Sequence, residues 1–279
     1  MEQNTPEWLE MRKTHIGSSD APIVMNVSPF KTPFRLWQEK IGIRESDAET
    51  FAMSEGKRKE PLARKALEEQ LGMPLFPSIK LHNERSWQMA SLDAMSFDER
   101  TIAEIKCPGR VDQEMAASGI VPDKYFPQLQ HQISVCDVDF AYYFSFDGEK
   151  GVVIKVFRDE KYIQKMIQEE ERFFECMQNF ESPAMTDRDY QIQTSHEWGM
   201  LAFRWNEISN QLRSLEEQEK IVKSQLISLC NDQSSMGAGV KLAKCVRKGT
   251  VDYSKIPEIE GLNLESYRKP SSEYWRIGK

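Results

Sequence analysis

Two short apolar runs with a polar turn between them constrain this chain most. Ser86 to Leu92 (SWQMASL) and Thr101 to Cys107 (TIAEIKC) read as neighbouring strands, and Phe97-Asp98-Glu99-Arg100 supplies the turn. Alternate residues of a strand share a face, so Glu104 and Lys106 point the same way. With Asp93 at the end of the first strand, two carboxylates and an ammonium converge on one spot.

The surrounding pattern embeds this pair in an α/β core. Glu7 to Thr14 reads as a short helix. Ile16 to Pro22 turns into a second helix, with Ser19 or Asp20 as N-cap and Pro22 in the first turn. Thr32-Pro33 repeats the cap before a helix over Phe34 to Ile41 that stops at Gly42. Residues 47 to 71 are helical in pattern, with interruptions expected near Gly56 and Glu60-Pro61 and an end at Gly72. Leu75 to Leu81 adds a strand, and residues 109 to 119 and 123 to 136 read as helices. Phe140 to Phe146 and Val152 to Phe157 flank Asp147-Gly148-Glu149-Lys150-Gly151, a hairpin signal. A helix over Asp159 to Phe180 closes the series. The expectation is a central mixed sheet with helices on its faces, occupying residues 1 to 185.

Residues 186 to 279 differ in character. Trp198, Leu201, Trp205, Ile208, Leu212, Leu215, Val222, Leu226 and Leu229 recur at spacings of three and four, broken only at Glu219. That is a heptad seam on one helix of roughly 50 Å. It would pair with the 159 to 180 helix, another subunit or a partner protein. Beyond it, Val240 to Arg247 and Thr250 to Tyr253 suggest a basic β-hairpin turning at Lys248-Gly249. Tyr253, Tyr267, Tyr274 and Trp275 then mix with Arg268, Lys269, Arg276 and Lys279. Basic groups among aromatics suit a nucleic-acid strand, although a solvated amphipathic appendage has the same composition.

Two carboxylates suit Mg²⁺, a hard, oxygen-seeking cation. A lysine beside such an ion can hold or deprotonate an attacking water, so the trio fits the cutting of phosphodiester bonds. A solvated hairpin with a cross-strand ion pair uses the same residues. The other residue classes narrow the field. Five scattered cysteines without a Cys-x-x-Cys pair imply reduced thiols and a cytoplasmic protein. The N-terminus lacks the basic and apolar regions of a signal peptide, and no apolar run reaches membrane-helix length. Four scattered histidines argue against zinc. Net charge is −7, yet residues 241 to 279 hold nine Lys/Arg against five Asp/Glu. An acidic total therefore still allows a basic DNA channel.

Several further segments line up with the trio: Trp8-Leu9-Glu10-Met11-Arg12, then Ile16-Gly17-Ser18-Ser19-Asp20, then Gly56 to Arg64 (GKRKEPLAR), and finally Tyr125 to Gln132 (YFPQLQHQ). In this order and spacing, over roughly residues 7 to 147, they resemble the YqaJ-like viral recombinases, the phage lambda exonuclease family of the PD-(D/E)XK nucleases. The resemblance implies a restriction-endonuclease-like core. It implies digestion of one strand of linear duplex DNA from its 5′ end, leaving a 3′ overhang for recombination with a single-strand annealing protein.

By position, Asp93, Glu104 and Lys106 match the family's catalytic set, and Glu60 matches the helix glutamate that completes the metal environment. The Ile105 backbone carbonyl would be a further metal ligand. Arg12, Ser19, Ser91 and Gln128 match positions that hold a terminal 5′-phosphate. Two Mg²⁺ ions, with Mn²⁺ as a substitute, a ring-shaped homotrimer and a phage or mobile-element origin in a bacterial cytoplasm are further implications. Each residue also has a plainer role: Arg12 pairing with Glu7 or Glu10, Ser19 as a cap, and Glu60 as a first-turn charge. The chain departs from the family at Ala94, where glycine commonly follows the metal aspartate. A superfamily endonuclease and a non-catalytic DNA-end-binding scaffold are the alternatives.

Overall fold

The computed structural model describes residues 3, 5–48 and 50–245. It divides into two compact units, Met1–Ile192 and Gln193–Lys279. The first holds helices α1 (Pro6–Thr14), α2 (Ala21–Val24), α3 (Pro33–Lys40), α4 (Phe51–Leu71), α5 (Arg110–Ala117), α6 (Phe126–Cys136) and α7 (Glu160–Asn179). Its strands are β1 (Ile16–Gly17), β2 (Phe76–Leu81), β3 (Gln88–Met95), β4 (Ile102–Lys106), β5 (Phe140–Phe146) and β6 (Gly151–Phe157). A 3₁₀ turn, Asp187–Asp189, follows α7.

The strands form one mixed six-stranded sheet in the order β1-β3-β4-β5-β6, with β2 also on β3. β1–β3 and β4–β5 are parallel, whereas β2–β3, β3–β4 and β5–β6 are antiparallel. The expected mixed sheet flanked by helices is the architecture found. One face packs Leu92, Ile102 and Tyr143 against Leu129 and Ile133 of α6 and Ile163 and Met166 of α7. The other packs Ala94, Ala103, Ile105 and Phe144 against Ala63 and Leu67 of α4. At Gly151 the β5–β6 hairpin tolerates no side chain, because an added Cβ would lie 2.1 Å from the Phe144 ring.

Three expectations change. The helix over 47 to 71 is not interrupted: α4 starts at the Thr50 cap, runs unbroken through Gly56 and Pro61, and ends at Gly72 with φ of 68°. An interior proline costs about 3 kcal/mol; burial of Ala63 and Leu67 against the sheet offsets it. The strand expected to stop at Leu92 continues to Met95, so Asp93 is internal to β3. The 3₁₀ turn, read as part of a separate extension, is tied to the core. Arg188 donates to the Ser28 and Pro29 carbonyls at 2.9 Å, and Asp189 accepts from Thr32.

The second unit holds α8 (His196–Leu229), which carries the expected seam, and no residue of α8 is buried. A short hairpin that the sequence did not lead us to expect follows. β7 (Ser235–Gly237) pairs with β8 (Val240–Leu242). Its turn residues Ala238 and Gly239 have φ of 47° and 80°, as a tight type I′ connection requires. The turn at Lys248-Gly249, the strand over Thr250 to Tyr253 and the later aromatic and basic residues lie outside the described residues. Among the described residues no helix is long and apolar enough to cross a membrane.

Candidate active site

The site forms where β3 and β4 part. They pair only at Ala94↔Ala103 and Met95↔Ile102. Across β2 the register shifts: Phe76 opposes Met95 and Ser78 opposes Leu92. Two residues of β3, Asp93 and Ala94, thus face the single residue Pro77, which is a β-bulge. Proline lacks the N–H that a regular ladder needs there, and bulges re-aim side chains. The re-aimed Asp93 carboxylate accepts the Ile105 N–H at 2.9 Å. A side chain thus does the work of a missing ladder bond and locks Asp93 beside β4.

Glu104 lies 2% exposed beneath it, enclosed by donors. Lys106 Nζ stands at 2.5 Å and Gln128 Nε2 at 2.7 Å from Oε1, and Gln132 Nε2 donates to Oε2. Burial, then the neighbouring Glu104 and Glu60 charges, hold Asp93 well above the ordinary carboxylate range, against the pull of Lys106 and the Ile105 N–H. Burial disfavours the Lys106 ammonium, but Glu104 and Asp93 outweigh it and its pKa is raised. Lys106 is therefore a firmly held cation. Its Nζ also lies 5.4 Å from the Tyr125 ring.

Glu60 reaches this centre through an intermediary. It accepts from Arg64 at 2.5 Å, one helical turn on, and Arg64 Nε donates to the Asp93 carbonyl at 2.7 Å. Arg12, Ser19 and Ser91 form a second cluster. Arg12 donates to Ser19 Oγ at 2.9 Å and lies 4.7 Å over the Trp8 ring, while Trp8 Nε1 donates to Ser91 Oγ at 2.9 Å. Beneath them Lys40, 6% exposed, grips Asp20 at 2.6 Å and the His15 carbonyl at 2.7 Å. Burial opposes the Asp20 charge, yet Lys40 and Arg12 keep its pKa lowered. Asp20 stands at the N-cap position of α2, but its side chain makes no cap hydrogen bond; it accepts the Gly17 N–H at 2.9 Å and sets the turn that presents Ser19.

The structure thus brings Asp93, Glu104, Lys106 and Gln128 together, and separately Arg12, Ser19 and Ser91. Gln128 engages Glu104 rather than the Arg12 cluster. Sequence reasoning passed over Gln132, Arg64 and Trp8 as individual residues. The signal was available for two of them, because Gln128/Gln132 and Glu60/Arg64 are i, i+4 pairs on one helix face. Trp8 carried no such signal, since only the fold brings it to Ser91.

Residues 7–139 match the model of the YqaJ-like viral recombinase domain. Over this stretch the chain is similar to that family. Over 179 residues the chain is 29% identical to the uncharacterized protein YqaJ of Bacillus subtilis (strain 168). The match covers 62% of this chain and 56% of that protein, so the chain spans little more than half of that relative's length. The fold is that of the alkaline exonuclease LHK-Exo from Laribacter hongkongensis. The TM-score is 0.56 at 22% identity, over 63% of this chain and 94% of the nuclease. The structure of LHK-Exo in complex with dAMP matches equally well. The domain therefore shares the fold of that exonuclease, with Asp93, Glu104 and Lys106 gathered at its bulge.

Among the described residues no three His, Cys, Asp or Glu side chains converge as a ready-made metal cage. The donor set still fits Mg²⁺, which keeps several waters and takes only one or two carboxylates. Asp93 and Glu104 supply those, and their carboxylates stand together beside Lys106.

Proposed function

We propose that this chain is a metal-dependent exonuclease. It hydrolyses one strand of linear double-stranded DNA in the 5′→3′ direction from 5′-phosphorylated ends and leaves 3′ overhangs for phage-type recombination. The observation that carries this reading is the bulge at Asp93, which sets that carboxylate beside Glu104 and Lys106. The likeness to the YqaJ-like family and the fold shared with the Laribacter exonuclease support it. So does the dAMP complex of the Laribacter nuclease, since dAMP is the class of mononucleotide such cutting releases.

Asp93, Glu104 and the Ile105 carbonyl would hold Mg²⁺, or Mn²⁺ in its place, with Glu60 steadying the surroundings through Arg64. Such an ion lowers the pKa of bound water and polarises the phosphoryl oxygens. The chain's own residues do the rest. Lys106, kept protonated by Glu104 and Asp93, donates to the water or to a phosphoryl oxygen rather than taking a proton. Gln128 and Gln132 hold the Glu104 carboxylate in one orientation. Arg12, with a side chain 34% exposed, and Ser19 bind the terminal 5′-phosphate, since a guanidinium suits phosphate. Ser91, fixed by Trp8, completes that pocket. Water adds to phosphorus and the P–O3′ bond breaks, so the next nucleotide keeps a 5′-phosphate and is recognised in turn. Assembly into a ring-shaped trimer, handover to a single-strand annealing protein and action in a bacterial cytoplasm belong to the same proposal.

Digestion of linear and covalently closed DNA, with Mg²⁺ or with chelator, tests it. The expected result is metal-dependent release of mononucleotides from linear duplex only, abolished in Lys106→Ala. Cutting of closed circles would assign an endonuclease instead. Metal-independent, salt-sensitive end binding without turnover would assign a scaffold.

A further inference from the structure

Phe30 stands 74% exposed on the loop between α2 and α3. A single exposed apolar residue is ordinary, but this one is braced and flanked by cations. Arg188 clamps the Ser28 and Pro29 carbonyls at 2.9 Å. The Ser28 N–H is bound to the Pro22 carbonyl at 2.9 Å, and the Phe30 N–H donates to Ser28 Oγ at 3.3 Å. Lys31 pairs with Glu39 at 2.6 Å. The backbone under the ring is therefore pinned on both sides, and the ring is presented without the ordering cost of a loose loop.

Beside it, Lys124 Nζ lies 5.5 Å from the Phe30 ring and 5.1 Å from the Tyr125 ring. Asp112 fixes that ammonium at 2.7 Å while the Lys124 side chain stays 23% exposed. Tyr125 in turn stacks on Tyr143 with centroids 5.7 Å apart, and Lys106 Nζ is 5.4 Å from its ring. Ammonium and ring thus alternate from the reaction centre outward: Lys106, Tyr125, Lys124, Phe30. At ~3.4 Å per stacked nucleotide, this row spans no more than about five nucleotides. Alternating cations and aromatic faces are the composition that single-stranded nucleic acid uses, one for phosphate and one for the base.

We propose that Phe30 and Lys124 form a docking step for single-stranded DNA outside the reaction centre, with Phe30 stacking a base and Lys124 meeting a phosphate. The choice of ligand rests on the reading of the site as a nuclease for DNA. The test uses the full chain carrying Lys106→Ala and a short, 3′-labelled oligothymidylate read by fluorescence anisotropy. Phe30→Ala and Phe30→Leu should each weaken binding about tenfold, within the range of one base–aromatic stack, and Phe30→Tyr should restore it. Lys124→Ala should lower the salt slope of binding by about 0.7, and Phe30→Ala should leave the slope unchanged. Melting temperature should stay constant in Phe30→Leu, because the ring is exposed. Equal affinity in Phe30→Ala, Phe30→Leu and the parent overturns the docking step while leaving duplex digestion by the unmutated chain untouched. Phe30-dependent binding by a chain that never cuts duplex with Mg²⁺ would instead sink the nuclease reading and keep the docking step.

Discussion

Arg12 shows how much one side chain depends on what holds it. Its helix alone offers Glu7 and Glu10 as partners, yet its guanidinium bonds Ser19 and covers Trp8. Lys40 also grips its backbone carbonyl at 2.5 Å. An arginine so steadied, one third exposed, is preorganised for a phosphate. Arg12→Ala is therefore expected to erase the advantage of a 5′-phosphorylated over a 5′-hydroxyl duplex, by about tenfold to a hundredfold. Cleavage rates on the two substrates measure this; equal loss on both would contradict the role. Ala94 is the second informative residue. It sits fully buried in β3 beside Ala103 and is not among the residues with positive φ. The bulge thus needs no glycine here. Ala94→Gly should lower stability by at least roughly 0.5–1 kcal/mol, the backbone-entropy cost, to which lost packing adds, with no gain in activity; denaturant midpoints report it.

At the scale of elements, α6 is the organiser of the site. Gln128 and Gln132 hold Glu104, while His131 beside them binds other partners. Both ring nitrogens of His131 meet acceptors, Nδ1 the Glu170 carboxylate of α7 at 2.7 Å and Nε2 the Met89 carbonyl of β3 at 3.0 Å. Gln88 donates to the same carboxylate at 2.5 Å. Burial opposes a charged His131, but Glu170 and the Met89 carbonyl, with a smaller pull from Asp20, outweigh it and its pKa is raised. The folded state thus binds this proton more tightly than the unfolded chain. Its contribution is complete below the ordinary histidine pKa of about 6.5 and is lost as pH rises through the raised folded value. Melting temperature should accordingly fall across that upper range, and His131→Gln should flatten the decline. His131→Leu, which leaves Glu170 buried without its partner, should cost about 3–5 kcal/mol, read from chemical denaturation.

For the whole molecule, the units Met1–Ile192 and Gln193–Lys279 differ in kind. The first has three buried clusters and all residues of the candidate site. The second has α8, with Leu201, Leu212, Leu215 and Leu229 more than half exposed. A fragment ending at Ile192 is expected to melt cooperatively and to keep metal-dependent cutting of linear duplex. Loss of cutting with folding intact would give residues 193–279 a part in the reaction. Arg188 and Asp189 return to Ser28, Pro29 and Thr32, contacts that join residues some 160 positions apart and leave no local trace.

Periodicity and punctuation alone determined most of the elements. A short apolar run marked β4, the hairpin signal at Asp147 to Gly151 marked β5 and β6, the cap at Thr32 and the stop at Gly42 bounded α3, the stop at Gly72 ended α4, and the order of short motifs pointed to the family. Tertiary structure alone decided the rest. Pro61 reads locally as a break, but packing of α4 on the sheet outweighs the proline. Asp93 reads as a strand end, but pairing with β2 makes a bulge there, and register is a property of two strands. Which donors surround Glu104, and that Trp8 reaches Ser91, follow from contacts between distant segments, which no local pattern encodes.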